Sequence, residues 1–122
     1  RNQDIKEVVN KFVLDKGWEE AYISGAIGSI RDVELTTPIS MDFPPKVEVF
    51  SIEGTAESLT FVGEIMKIEK MDPALKGVYS TEGQDLFIHI HASIAIAGSK
   101  VYGGGFKSGK AFRKLKIYIK EQ

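Results

Sequence analysis

The chain has 122 residues, 43% of them hydrophobic and 27% charged, with a formal net charge of −1 and no cysteine. That length fits one domain with a core large enough to need no staples, and the near-neutral balance excludes a strong overall pull toward nucleic acid or anionic membrane. The lack of cysteine excludes disulfides and thiolate zinc sites and fits a cytoplasmic protein. No apolar run approaches the roughly 20 residues of a membrane span, and no signal-peptide pattern opens the chain. The first residue is Arg1 rather than methionine, so further residues are expected upstream.

The stretch DIKEVVNKFVLDKGW places Ile5, Val8, Val9 and Phe12 at helical spacing, which predicts an amphipathic helix over 4–16. Asp4 and Glu7 form a capping-box pattern, and Gly17 suits the left-handed residue that ends a helix. EAYISGAIGSIRDVEL is rich in β-branched residues but carries Gly25 and Gly28, which predicts two strand segments, 20–27 and 29–35, bent at the glycines. TTPISMDFPPK reads as a loop. KVEVFSIEGTA reads as a strand ending near Gly54. ESLTFVGEIMKIEKMDP fits helix and strand alike, because Phe61, Ile65 and Ile68 suit one period and Leu59, Phe61 and Ile65 the other. ALKGVYSTEGQ reads as a loop or exposed hairpin.

DLFIHIHASIAIAGS is a strand turning at Gly98, and KVYGGGFKSGKAF has the glycines of a tight bend between strands. RKLKIYIKEQ alternates, with Leu115, Ile117 and Ile119 inward and Lys116, Tyr118 and Lys120 outward. One helix followed by strands gives an α+β fold with a strongly curved, barrel-like sheet, mixed or antiparallel, and room for one more short helix.

The only two histidines, His89 and His91, alternate with isoleucines and so share one strand face with Phe87 and Ser93. Two imidazoles at that spacing can supply two ligands to a zinc-like divalent metal, with the remainder from a carboxylate, water or another subunit. The alternative is a pocket wall or subunit interface in which both rings hydrogen-bond to backbone. No residue pattern names a catalytic group; Asp32, Glu34 and Glu53 read as solvated or paired. Arg31 suits a carboxylate or phosphate in a pocket, or an ion pair with Asp32 or Glu34 near a subunit contact. Gly103 and Gly104 suit close backbone packing at an interface or ligand. Lys107, Lys110, Arg113, Lys114, Lys116 and Lys120 suggest a positive stripe that could track a phosphate backbone. Such lysines also protect an outer strand from edge-to-edge pairing. Trp18 reads as a packing residue.

Four segments in order, ISGAIGSIRDVEL (23–35), EVFSIEGT (48–55), DLFIHIHASIA (85–95) and VYGGGFKSGKAF (101–112), together resemble the plants-and-prokaryotes conserved (PPC) domain. The resemblance covers most of the chain as a single domain, 1–122. It implies a strand before the first helix and makes 57–84 an insertion. It further implies a compact α+β domain with a barrel-like sheet, assembled as a homotrimer. In plants the domain follows AT-hook motifs and mediates association; in prokaryotes it usually stands alone, with its biochemical role unsettled and DNA binding suggested. No AT-hook core (Arg-Gly-Arg-Pro) occurs in this chain. The family pattern supplies a histidine pair, here His89 and His91, and a third histidine at a position held here by Gly105. The overall fold is also similar to that of acetolactate decarboxylases, whose zinc is held by histidines, but a fold transfers no reaction. The expectation is therefore a non-enzymatic trimerising domain, regulatory or DNA-associated. The alternative is a metal- or small-molecule-binding protein, or an enzyme, centred on the histidine pair.

Overall fold

In the computed structural model, which describes residues 2–40, 46–70 and 86–122, one helix precedes four long strands. They are α1 (Ile5–Lys16), β1 (Glu20–Pro38), β2 (Val47–Lys67), β3 (Leu86–Ile96) and β4 (Lys100–Glu121), with short 3₁₀ turns at Ile68–Lys70 and Ala97–Ser99. The helix starts and stops where its caps dictate. Asp4 accepts a hydrogen bond from the Glu7 amide at 3.0 Å, and Gly17, at φ 72°, turns the chain so that its own amide reaches the Leu14 carbonyl. The buried stripe is Ile5, Val9 and Val13, not the expected Ile5, Val8, Val9 and Phe12. The helix rests along a single row of residues four apart, which turns Val8 and Phe12 to the flanks. Phe12 instead meets Trp18 edge-on at 5.7 Å.

All strand pairs are antiparallel, in the order β1–β2–β3–β4, and β4 pairs back onto β1, closing the sheet into a ring. The fold is α+β with a strongly curved sheet, as expected. Inward residues of every strand fill the ring: Ile23, Ile30, Leu35, Phe61, Ile65, Ile90, Ile94 and Phe106 are all buried, with Phe61 packed edge-on against Phe106 at 5.1 Å. β3 pairs with β4 only from His91 to Ile96, and α1 packs against both strands where they part, with Asp4 bridging to Lys110.

Several expected breaks are absent. β1 is one strand, not two: it passes through Gly28 (φ 138°) and a bulge at Arg31–Val33, where Asp32 takes φ 52°. Its last residues, Thr36–Pro38, belong to the strand rather than to the expected loop, of which 41–45 lies outside the described residues. β2 does not end at Gly54 but runs on to Lys67, so the ambiguous stretch is strand over Glu57–Lys67 and a 3₁₀ turn over Ile68–Lys70, and 71–73 lies outside the described residues. Phe61 and Ile65 are four apart, an even number, so both face inward on a strand as they would share one face of a helix. YGGG is likewise no bend. It lies within β4, where a Cβ on Gly104 would stand 2.5 Å from the Thr36 carbonyl oxygen, so glycine there allows β1 to approach closely. The turn at Gly98 and the alternation of Leu115, Ile117 and Ile119 against exposed Lys116, Tyr118 and Lys120 are as expected. Within 57–84, Glu57–Lys67 pairs with β3; the reading of 74–84 as loop or hairpin lies outside the described residues.

Candidate functional site: a histidine pair on the outer face of the ring

Alternation from Ile88 to Ile94 sends Ile88, Ile90, Ala92 and Ile94 into the core and leaves His89 partly buried and His91 exposed on the outer face, where Phe87 is itself buried. The two imidazoles meet: His91 Nε2 lies 3.2 Å from His89 Nε2, with ring centroids 4.8 Å apart and planes at 83°. Phe87 lies beside His89 at 5.6 Å. Burial pushes the His89 imidazole below the ordinary histidine range, and the charges of His91 and Lys6 act in the same direction against the opposing pull of Glu64. The neutral imidazole is the form that accepts a proton or holds a metal.

Register fixes the neighbours. Val62 stands opposite His91 on β2 and Glu64 opposite His89, while on β4 Gly105 stands opposite His91 and Gly103 opposite Ser93. Thr36 pairs with both Gly105 and Val49. A single transverse row thus runs Val49, Thr36, Gly105, His91, Val62 across the ring. Gly104 and Gly105 form the floor of a depression of about 430 Å³, whose walls include Thr36, Pro38, Val47, Thr60, Val62 and His91. Thr60 and Ser93 tie the next row together through their hydroxyls at 2.7 Å.

The nitrogens suit two positions on one ion. Two zinc–nitrogen bonds of about 2.05 Å at a tetrahedral angle put the nitrogens roughly 3.3 Å apart, close to the 3.2 Å found. The described residues do not complete the set. Among the described residues no group of three or more His, Cys, Asp or Glu side chains could hold a metal, and Gly105 offers no side chain opposite His91.

Arg31 lies elsewhere. Its Nε donates to Asp32 Oδ2 at 2.8 Å, its Nη1 to Asn2 Oδ1 at 3.4 Å, and its register partners are Thr55 and Lys110. The Arg31 hydrogen bond and the Gly54 amide hold the Asp32 carboxyl below its usual range. Glu34 accepts from Ser108 at 2.8 Å and Ser51 at 3.5 Å, and Glu53 is exposed. The expected basic stripe is split: Lys114, Lys116 and Lys120 are exposed along the end of β4, whereas Lys107 and Lys110 line clefts beside α1. Arg113 is exposed between these groups, and its backbone amide donates to Ser29. The walls from Thr36, Thr60 and Val62 were not singled out in the sequence; the alternation of 60–66 would have given Thr60 and Val62 once that stretch was assigned as strand.

A closed antiparallel ring capped by one helix, with a histidine pair outside, defines a compact α+β domain. The sequence model of the Plants and Prokaryotes Conserved (PCC) domain matches residues 1–122, and the chain belongs to that family. No curated protein matches. Among solved structures, a plant- and prokaryote-conserved protein of Pyrococcus horikoshii superposes with a TM-score of 0.76 at 18% identity, covering 99% of this chain and 72% of that one. A metal-containing protein from Archaeoglobus fulgidus gives 0.72 at 23% identity over 97% of this chain and 71% of that one. A candidate DNA-binding protein from Ralstonia eutropha gives 0.70 at 14% identity over 100% and 73% respectively. At these identities the likeness is one of fold.

Proposed function

We propose that the chain is a non-enzymatic assembly domain that covers its outer face, around the histidine pair and the floor of Gly104 and Gly105, with sister copies of itself. The observation that carries this is the row across that face: Val49 and Val62, each 48% exposed, flank Thr36, Gly105 and His91, and Val101, 56% exposed, lies two rows further on. The ring already encloses its own core, so these side chains gain from burial only if another surface covers them. The family resemblance supplies the number of copies, three. Replacing Val49 and Val62 together by glutamate places charge on both sides of the floor without touching the core. The expected result is loss of self-association, in a sedimentation-velocity concentration series, with an unchanged circular-dichroism spectrum. A double variant that sediments like the parent would sink this reading.

The 3.2 Å separation of the two Nε2 atoms favours a second role for the same face, holding a divalent metal. A water or a residue of another copy would complete the set, and the metal-containing Archaeoglobus fulgidus neighbour supports testing it. His89 and His91 would hold the ion, which supplies a positive charge and a Lewis acid when bound. Elemental analysis of untagged protein against a His89→Ala, His91→Ala variant tests it; equal and negligible metal in both removes it. Association with DNA has weaker support, from exposed Lys114, Lys116 and Lys120 and the Ralstonia eutropha neighbour. It predicts duplex retention that falls steeply with salt.

A further inference from the structure

Beside the histidine face, α1 and the diverging strands β3 and β4 enclose a second cleft, of about 350 Å³. Lys6 and Asn10 line it from α1, Leu86 and Ile88 from β3, and Lys107 and Ser108 from β4. Lys6 and Asn10 are four residues apart and so share one helix face. Lys6 is only partly exposed, although lysine ordinarily keeps its ammonium in water. Among the described residues neither Lys6 nor Lys107 has an ion-pair partner.

Burial pushes the Lys6 ammonium below the ordinary lysine range; Asp4 opposes that shift and Lys107 adds to it, so the two cations are close enough to repel. Two ammonium groups lining one cleft, one of them partly withdrawn from water, each gain from an anion bound between them, beyond the attraction that Asp4 already supplies to Lys6. Two of the other polar groups around the cleft are already engaged. The Asp4 carboxylate caps the Glu7 amide, and the Ser108 hydroxyl donates to Glu34. That leaves the two ammonium groups and the Asn10 amide as donors, beside the buried apolar side chains of Leu86 and Ile88. Asp4 and Glu7 also line the cleft, and their negative charge suits a small ligand better than a polyanion.

We propose that this cleft is a binding site for a small organic anion, a carboxylate or phosphate on a short apolar body, held by Lys6, Lys107 and Asn10 with its carbon part against Leu86 and Ile88. The site does not depend on the assembly or metal readings of the histidine face. It is tested by nuclear magnetic resonance titration of the isotope-labelled full chain at constant ionic strength, with inorganic phosphate and, separately, butyrate. The site predicts saturable shifts at the amides of Lys6, Asn10, Leu86, Ile88 and Lys107 with at least one probe; which probe saturates distinguishes phosphate from carboxylate recognition. Lys6→Gln and Lys107→Gln each weaken that binding about tenfold or more, the loss expected for one charge-assisted contact, while Lys114→Gln binds like the parent. Lys107 is exposed, so its variant keeps the fold even if the Lys6 variant does not. No saturable shift with either probe, or a Lys107→Gln variant that binds like the parent, overturns the proposal.

Discussion

Gly63→Ala adds one methyl group at the point where β2 passes the histidine strand. A Cβ there would collide with the His89 carbonyl oxygen and lie 3.0 Å from both Cα and Cγ1 of Ile90. Gly25, on β1, has nothing within 4 Å of the same added atom. Neither glycine has a positive φ, so alanine is conformationally allowed at both. Each substitution therefore gains the same unfolded-chain entropy, about 0.4–1 kcal/mol. That gain cancels when the two variants are compared and leaves the collision alone. Overpacking costs about 1–3 kcal/mol, and the upper half applies here because a carbonyl and a Cα move only with the strand. Gly25→Ala should then be as stable as the parent or slightly more so, and Gly63→Ala lower than Gly25→Ala by about 2–3 kcal/mol. Urea unfolding of the two variants, read by circular dichroism at one protomer concentration, measures the difference. Equal midpoints would refute the claim that close passage of β2 over β3 is what requires glycine at position 63.

Phe61→Ala removes a fully buried ring packed edge-on against Phe106 and should cost about 3–5 kcal/mol; a urea midpoint close to the parent's would show that the ring core is not centred there. The lowered pKa of His89 means that the folded state binds fewer protons than the unfolded state just below the ordinary histidine value. Its contribution to stability is therefore present above about pH 6.5 and lost as pH falls toward the folded-state value. The parent should lose more urea resistance than His89→Gln between about pH 7.5 and about pH 5.5, and identical losses would contradict the assignment. Gly105→His places a third imidazole directly opposite His91. Its Cβ requires the Thr36 hydroxyl to rotate away, giving up only a 3.5 Å hydrogen bond. The variant should retain more zinc through dialysis than the parent, by elemental analysis, and no gain would show that the three positions do not converge.

The histidine face was legible because residues 88 to 94 alternate without a break, and alternation decides which side of a strand faces the core. The opening helix was legible from Asp4 and Gly17, although its buried row was not, since Val8, Val9, Phe12 and Val13 offer two adjacent stripes and only the packing partner selects between them. The long strands were read as broken because glycine stands both where a chain bends and where a neighbouring backbone passes close. Gly104 and Gly63 belong to the second kind, which depends on residues far away in sequence. Lys6 could not be singled out, because a lysine in the first turn of an amphipathic helix reads as solvated until β3 and β4 are brought beside it.

The central claim is that the outer face bearing His89 and His91 is covered by sister copies. The most direct measurement is the mass of the untagged parent at sedimentation equilibrium over a range of micromolar concentrations. The account predicts three times the 13.5 kDa protomer, and a single 13.5 kDa species throughout that range would contradict it.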